Sequence, residues 1–242
     1  VLKHIIKLYE EAGLRAEVAP EVEFFLVHKN TDPDYELMPP KGRSGRREVA
    51  RMSFSIDAVA EFEDFVEDMY DFADEQALSV DTLIHENGAA QLEINFNHGD
   101  PLDMADQVFV FKRTVRETAQ RHNMYATFMA KPMQKEPGSA LHIHQSILSL
   151  VTGDNIFNGA NDQPTPELMH YIAGLQRYTP DLISFYAPNV NSYRRLAPDI
   201  SAPINLSWGY DNRTTAFRVP DSTPINRLSL IHISEPTRRS TI

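Results

Sequence analysis

Alternating polar and apolar positions predict strands that carry glutamates where apolar residues are expected. The stretch Gln91–Phe96 has the period of a half-buried strand and contains Glu93. In Pro20–Phe25, Glu21 and Glu23 are separated by one residue, so their side chains point to the same side of the strand. Glutamate is normally excluded from such a strand unless it is paired or bound to a cation.

The same arrangement recurs with imidazoles and with one further carboxylate. His142 and His144 are also separated by one residue, and Glu86 precedes Glu93 across the small residues Gly88–Ala90. Four carboxylates and two imidazoles on the inner faces of strands predict a site for a hard divalent cation, Mg²⁺ or Mn²⁺. The alternative for any one glutamate is an ion pair, and for His144 a hydrogen bond within the core.

The rest of the pattern mixes strands and long helices without regular alternation. Apolar spacing predicts a helix ending at Gly13, strands over 15–18 and 21–27, a helix capped by Asp57, one from Asp100 to about His122, and one over Glu167–Tyr178. The polar segment Lys29–Arg47 contains several prolines and glycines, which predicts a long loop. We therefore expect an α+β fold with a largely antiparallel sheet.

Composition narrows the class of protein. The 242 residues suffice for one large domain or two small ones. The net charge of −11 disfavours a nucleic acid or an anionic membrane surface as partner. Because there is no cysteine, a metal site must use oxygen and nitrogen ligands, and a cytoplasmic location is expected. No apolar run approaches the roughly 18 residues that a transmembrane helix needs.

A second group of candidate residues is cationic. Arg195 lies in a segment rich in proline and asparagine, and Arg213 opens a predicted strand that ends near Arg218. Guanidinium groups bind carboxylate and phosphate through paired hydrogen bonds, so arginines beside a metal site predict an anion clamp for phosphoryl transfer. The alternative for each arginine is a solvated surface position. The sequence has neither a Walker loop nor a G-x-G-x-x-G motif.

A set of motifs in the chain resembles the glutamine synthetase family. They are E-V-E-F-F-L from Glu21, H-E-N-G-A-A-Q-L-E-I-N-F from His85, K-P-M-Q-K-E-P-G-S-A-L-H-I-H-Q-S from Lys131, S-Y-R-R-L-A-P from Ser192 and N-R-T-T-A-F-R-V-P from Asn212. The resemblance covers 1–227 and is most similar to the γ-glutamylpolyamine, or γ-glutamylputrescine, synthetase branch. It implies that family's catalytic domain, with a curved, largely antiparallel sheet and flanking helices.

The resemblance implies ligands for two divalent ions. Glu23, Glu86 and Glu93 would hold the ion nearer the acceptor. Glu21 and His142 would hold the ion that bridges the phosphates of ATP. The expected cofactors are therefore ATP and two or more Mg²⁺ or Mn²⁺ ions per site.

The resemblance also assigns the cationic residues to substrates. Gly138 and Arg195 would position glutamate. Arg213 and Arg218 would stabilise charge on the transferring phosphoryl group, and Arg213 would also contact the nucleotide. The expected partners are glutamate and an amine. The intact protein is expected to be a ring-type homo-oligomer, a dodecamer by resemblance, that acts in nitrogen metabolism.

The implied reaction is a carbon–nitrogen ligation. The γ-carboxylate of glutamate would attack ATP to give γ-glutamyl phosphate, and an amine would then displace the phosphate. In this scheme His144 and Ser146 lie near the nucleotide. Two cations and a guanidinium clamp suit phosphoryl transfer, and surrounding carboxylates attract a cationic amine.

The chain departs from the family's pattern after Arg227. The family has R-I-E-x-R soon after this position, which supplies a metal-ligating Glu and a substrate-binding Arg. Here S-L-I-H-I-S-E-P-T-R-R follows from Ser229, which resembles the translation of a sequencing-adapter read-through. We interpret 228–242 as a non-family tail and 1–227 as a partial catalytic domain without the family's N-terminal β-grasp domain. Little or no activity is expected from the chain as written.

Two further departures concern the amine acceptor. Pro137 stands where glutamine synthetases usually have Asn, and Ser201 stands where they usually have a Glu that helps to deprotonate ammonium. Loss of that Glu favours a bulkier amine, so a polyamine is the expected acceptor. The alternatives are an ammonium-using glutamine synthetase and a non-catalytic homologue retained for binding or assembly.

Overall fold

The computed structural model describes residues 1–159, 163–196 and 202–220, together with the backbone of residues 229–234. Within these residues the chain forms six helices and eight strands. The helices are α1 (Leu2–Glu11), α2 (Ile56–Ala60), α3 (Glu63–Glu75), α4 (Pro101–Arg121), α5 (Pro166–Tyr186) and α6 (Val190–Tyr193). The strands are β1 (Leu14–His28), β2 (Val80–His85), β3 (Gln91–Phe96), β4 (Met124–Thr127), β5 (Ala140–Ser149), β6 (Trp208–Tyr210), β7 (Phe217–Val219) and β8 (Ser229–Ser234).

The described strands form one sheet with flanking helices, which confirms the predicted α+β class. The strand order is β2-β3-β1-β5-β8-β7-β6, and β4 pairs with β1. In the described part of the chain β6 and β7 are parallel and the other pairs are antiparallel. The backbone of β8 pairs with β5 and β7. The interpretation of 228–242 as a non-family tail stays a prediction.

The longest strand, β1, runs through the middle of the sheet and carries two of the candidate ligands. The sequence predicts two strands here, but β1 continues without a break through Pro20, which stays in register opposite Ile143 of β5. Strand β1 pairs with β3 along one edge and with β5 along the other. Glu21 therefore has a paired strand on either side, and Glu23 pairs with β3 one residue beyond the last pair with β5.

Alternate residues of β1 divide between the two faces of the sheet, as the period of a strand requires. Val22, Phe24 and Leu26 belong to the largest apolar cluster of the described residues. Glu21 and Glu23 point to the opposite face. The apolar face thus anchors the strand, and the other face is left for the polar site.

Aromatic rings form the centre of the apolar cluster. The ring centroid of Phe24 lies 6.4 Å from that of Phe65 on α3, 6.3 Å from that of Phe111 on α4, and 5.4 Å from that of Phe128. Helix α4 begins as the sequence predicts, because the Asp100 carboxylate accepts hydrogen bonds from the first turn at 2.9 and 3.1 Å. Helices α3 and α4 therefore cover the side of the sheet opposite the glutamates.

Two helical predictions need correction. The single helix predicted to begin at Asp57 is two helices, α2 and α3. Ser55, and not Asp57, caps α2, because its hydroxyl accepts a hydrogen bond from the amide of Ala58 at 3.3 Å. Asp57 lies in the first turn of α2 instead, where its negative charge interacts favourably with the helix dipole. The helix predicted over Glu167–Tyr178 continues to Tyr186 as α5. None of the described helices is long and apolar enough to cross a membrane.

We expect Phe111→Ala to lower the free energy of unfolding by about 3–5 kcal/mol, because the substitution leaves a cavity among packed aromatic rings. Phe109 on the same helix is a matched control, since 69% of its surface is exposed whereas Phe111 is fully buried. Phe109→Ala should change the free energy of unfolding by no more than about 0.5 kcal/mol. Equilibrium denaturation of both variants measures the difference, and equal losses would contradict the packing described here.

Candidate active site

Three neighbouring strands bring the predicted ligands together. In the pairing of β1 with β3, Glu23 lies directly opposite Glu93. In the pairing of β1 with β5, Glu21 lies directly opposite His142. Directly opposite residues have their side chains about 5 Å apart on the same face of the sheet. The register of β1 with its two neighbours therefore produces a cluster of three carboxylates and one imidazole.

His142 lies among the carboxylate groups of this cluster. Its Nδ1 is 3.1 Å from Oε2 of Glu21, 4.0 Å from Oε1 of Glu23 and 3.9 Å from Oε2 of Glu93. One potential ligand atom from each of Glu21, Glu93 and His142 lies within 4.8 Å of the other two. These atoms could hold one metal ion.

The electrostatic balance differs between the glutamates of the cluster. Burial opposes ionisation of Glu21, but hydrogen bonds from His142 and His144 outweigh it and hold the pKa of Glu21 well below its usual range. Burial, reinforced by the charges of Glu21 and Glu23, raises the pKa of Glu93 to about 10. Burial and the charge of Glu23 also raise the pKa of Glu86. A divalent cation would relieve this repulsion.

Glu86 reaches the cluster through the turn that joins β2 to β3. Its Oε2 accepts hydrogen bonds from the backbone and side-chain nitrogens of Asn87, at 3.1 and 3.0 Å. The next residue, Gly88, has no room for a side chain, because a Cβ would lie 2.5 Å from the ring of Phe25 and 2.8 Å from Oε1 of Gln91. Close packing thus requires a glycine at position 88, within the small-residue break between Glu86 and Glu93.

Glu23 is fixed by hydrogen bonds to one of its oxygens. Oε2 accepts from Nε2 of Gln91 at 3.0 Å and from the backbone amide of Ala140 at 2.9 Å. Gln91 also donates to the backbone oxygen of Gly138 at 3.1 Å. The other carboxylate oxygen of Glu23 is the one that faces His142.

The cluster opens into a cavity of about 290 Å³ that collects nine of the eleven residues predicted from the sequence. The nine are Glu21, Glu23, Glu86, Glu93, Gly138, His142, Arg195, Arg213 and Arg218. His144 and Ser146 are not among the residues that line it. Nε2 of His144 lies 2.7 Å from Oε1 of Glu21. Ser146 lies further along β5, opposite Glu17 of β1.

The three arginines enter the cavity from different segments. Arg195 is buried beside Gly138, where a Cβ on the glycine would lie 2.7 Å from Cδ of Arg195. Arg218 lies on β7, and its Nε is buried without a hydrogen-bond partner in the described part of the chain. Arg213 precedes β7 in a turn, so the prediction that it opens a strand is wrong. Its guanidinium carbon lies 6.0 Å from the ring centroid of Phe54.

The cavity is also lined by residues that were not predicted from the sequence, among them Gln91, Asn95 and Phe54. The first two share the face of Glu93 on β3, so the strand period contained the signal for them. The Oδ1 of Asn95 is buried and makes no hydrogen bond within the described residues. Phe54 has a φ of 59°, and its segment has no periodic pattern from which its position could have been predicted.

The prediction of the acceptor rests on Ser201, and the predicted tail follows Arg227 and begins at Leu228. All three residues lie outside the described residues. Chemically, the described cavity combines oxygen and imidazole donors with guanidinium groups. Such a donor set suits a hard divalent cation together with an anionic substrate.

Comparison with known sequences identifies the relatives of this chain. The family model described as "Glutamine synthetase, catalytic domain" matches residues 1–230. The chain is 36% identical over 223 residues to gamma-glutamylputrescine synthetase PuuA of Escherichia coli (strain K12), and the match covers 91% of this chain and 47% of that protein. It is also 36% identical over 220 residues to glutamine synthetase of Pyrococcus abyssi (strain GE5 / Orsay), with the same coverage. The chain spans about half the length of the curated relatives it matches.

Solved structures agree with this result. A structure described as "Apo GmaS without ligand" matches with a TM-score of 0.79 and 25% identity, covering 97% of this chain and 52% of that one. The cryoEM structure of Plasmodium falciparum glutamine synthetase matches with a TM-score of 0.84 over 96% of this chain and 50% of that one. At 21% identity the second match concerns the fold alone. Because the catalytic-domain model matches nearly the whole sequence, the chain belongs to the glutamine synthetase family.

Proposed function

We propose that this chain supplies the catalytic cavity of an ATP-dependent ligase that joins the γ-carboxylate of glutamate to an amine through γ-glutamyl phosphate. The observation that carries the proposal is the clustering of Glu21, Glu93 and His142 in one cavity with Arg213 and Arg218. Membership of the glutamine synthetase family supports the same reaction class. ATP, Mg²⁺ or Mn²⁺, a cytoplasmic location and a homo-oligomeric assembly belong to this proposal.

The carboxylates fit a pair of divalent ions. Glu23, Glu86 and Glu93 would hold one ion, and Glu21 and His142 the other. The raised pKa values of Glu86 and Glu93 support this assignment, because crowded buried carboxylates are stabilised when a cation joins them. Bound ions would neutralise charge on the phosphoryl oxygens. His144 holds Oε1 of Glu21 and would orient that carboxylate.

The arginines would bind the anionic substrates. Arg195 is buried against Gly138 and would position glutamate by its carboxylate. Arg213 and Arg218 would stabilise the charge that develops on the transferring phosphoryl group. The buried Nε of Arg218, which lacks a partner among the described residues, is a donor available for such an anion. Arg213, with His144 and Ser146 on β5, would lie on the nucleotide side.

The acceptor amine would be a polyamine. Buried carboxylates at the wall of the cavity attract a cationic amine, and the aromatic ring of Phe54 offers an apolar surface for its methylene groups. Similarity to gamma-glutamylputrescine synthetase PuuA supports this choice. The second candidate is an ammonium-using glutamine synthetase, which is favoured by equal identity to the Pyrococcus abyssi enzyme.

We expect Glu93→Gln to stabilise the metal-free full-length protein at neutral pH and to abolish divalent-ion binding. The pKa of Glu93 is raised to about 10, whereas the carboxyl group of an unfolded chain titrates near about 4.3. A carboxyl group whose pKa is higher in the folded than in the unfolded state stabilises the folded state fully at pH values below its pKa in the unfolded chain. This stabilisation is lost as the pH rises toward the pKa of the group in the folded state. Wild type should therefore lose stability relative to Glu93→Gln from about pH 4.3 upward.

Denaturation midpoints in the presence of a chelator, measured at several pH values, test the stability part of this prediction. A Mn²⁺ titration tests the binding part. Glu67→Gln removes an exposed carboxylate from α3 and should change neither quantity. A Glu93→Gln variant that is less stable than wild type at every pH would contradict the electrostatic account.

We expect Gly138→Ala to raise the KM for glutamate by roughly 10- to 100-fold, because a small displacement of a positioning group has a large effect on rate and binding. The added Cβ would overlap the backbone oxygen of Ala130 and lie 2.7 Å from Arg195, so the guanidinium must move. Gly174 on α5 is the control, since a Cβ there meets no atom within 4 Å. Steady-state kinetics should give the Gly174→Ala enzyme an unchanged KM for glutamate, and the same value for Gly138→Ala would refute the role of Arg195.

The acceptor is tested by ADP release from the full-length protein with glutamate and ATP–Mg²⁺. We expect putrescine and longer polyamines to support turnover better than ammonium does. A preference for ammonium would establish the glutamine synthetase alternative. No turnover with any amine would favour a non-catalytic homologue.

A further inference from the structure

The turn between Glu86 and Glu93 is held by side-chain oxygens at three consecutive backbone amides. Gly88 donates to Oε1 of Gln91 at 2.8 Å, Ala89 to Oε2 of Glu136 at 3.1 Å, and Ala90 to Oε2 of Glu48 at 2.8 Å. Two of these three acceptors are carboxylates, and each belongs to a segment distant in sequence.

Ala90 needs such support because of its backbone conformation. Its φ is 55°, in the left-handed region that residues with a Cβ rarely adopt. Residues in that region persist where the surroundings over-determine them, and they concentrate at functional sites. The carboxylate of Glu48 supplies one of these constraints at the amide of Ala90 itself.

The same oxygen of Glu48 also fixes the other end of the segment that carries Glu86. Oε2 of Glu48 lies 2.9 Å from Nε2 of His85, whose ring is fully buried. The Nδ1 of His85 in turn lies 2.7 Å from the backbone oxygen of Glu86. One carboxylate therefore joins His85, immediately before Glu86, to Ala90, three residues before Glu93.

Two more hydrogen bonds join the segment 48–54 to this turn. The hydroxyl of Ser53 donates to Oδ1 of Asn87 at 2.6 Å, and the amide of Phe54 donates to the backbone oxygen of His85 at 2.9 Å. Phe54 lines the cavity, but Glu48 does not. Glu48 thus lies outside the cavity lining, where it contacts His85 at the end of β2 and Ala90 just before β3.

We propose that Glu48 is a positioning residue for the divalent ion held by Glu86 and Glu93. It acts through His85 and Ala90 by setting the geometry of the turn that connects Glu86 to the strand carrying Glu93. Hydrogen-bonded groups behind metal ligands control affinity in this way in many proteins. This inference rests on the proposed function, because it assumes that Glu86 and Glu93 bind a metal.

The test is a Mn²⁺ titration of the full-length protein, followed by electron paramagnetic resonance of the free ion. We expect Glu48→Ala to weaken the binding of Mn²⁺ by about 10- to 100-fold. Glu48→Gln should bind Mn²⁺ much as wild type does, because its amide oxygen can still accept from Ala90. Glu48→Asp retains the charge but is one methylene shorter, so we expect weakened binding with a thermal midpoint near that of wild type.

A second histidine–carboxylate pair provides the matched control. Oδ2 of Asp68 on α3 lies 2.8 Å from Nε2 of His122, beside the apolar core and away from the cavity. Asp68→Ala removes the same kind of interaction and should leave Mn²⁺ affinity unchanged. If Glu48 had only a structural role, Glu48→Ala and Asp68→Ala would have equal effects on Mn²⁺ binding, and the positioning role would be overturned.

The outcomes separate this inference from the function on which it rests. If wild type binds no Mn²⁺, the proposed metal site is wrong. If wild type binds and Glu48→Ala binds equally well, the positioning role is overturned while the metal site stands. If Glu48→Ala does not fold, Glu48→Asp decides, and wild-type affinity in that variant would overturn the proposal.

Discussion

The site depends on one electrostatic constraint, the confinement of several largely buried carboxylates on one face of a sheet. Burial removes the solvation that an ionised carboxylate needs. The carboxylates cannot move apart, because Glu23 lies opposite Glu93 in the register of β1 and β3. That register is held from the other face, where Phe24 packs among the aromatic rings of the core. The hydrophobic side of the sheet therefore maintains the repulsion on its polar side.

Neighbouring side chains compensate this repulsion unevenly. His142 and His144 both contact Glu21, whose pKa is lowered despite burial. At Glu93, burial and neighbouring negative charges outweigh the attraction of Arg213, so its pKa is raised. Under the proposed function this unevenness is useful, because a bound cation supplies the missing positive charge. The folded protein without metal is then less stable, because its carboxylates are already held in the geometry that binds the ion.

Local sequence patterns predict the polar face but not how its strands meet. Alternation places Glu21 beside Glu23 and His142 beside His144, because side chains two residues apart in a strand share a face. The pairing of β1 with both β3 and β5 joins residues about 70 and 120 positions apart, and single-strand periodicity contains no information on such partners. The position of Phe54 could not be predicted, because it lies in an irregular segment that has neither the helix period nor the strand period.

Under the proposed function, the residues that would hold the metal and those that would contact the acceptor lie in different parts of the chain. The candidate metal ligands Glu21, Glu93 and His142 lie on β1, β3 and β5, which pair in the register described above. Phe54 and Arg213 enter the cavity from segments outside the strands, and such segments vary more freely than a sheet does. One relative named gamma-glutamylputrescine synthetase and one named glutamine synthetase are each 36% identical to this chain. Under the inferred role of Glu48, the segment 48–54 also supports Glu86 and Glu93. A change there that moves Phe54 would reach the proposed metal ligands through the hydrogen bonds of Glu48, so the two separate regions would still be coupled.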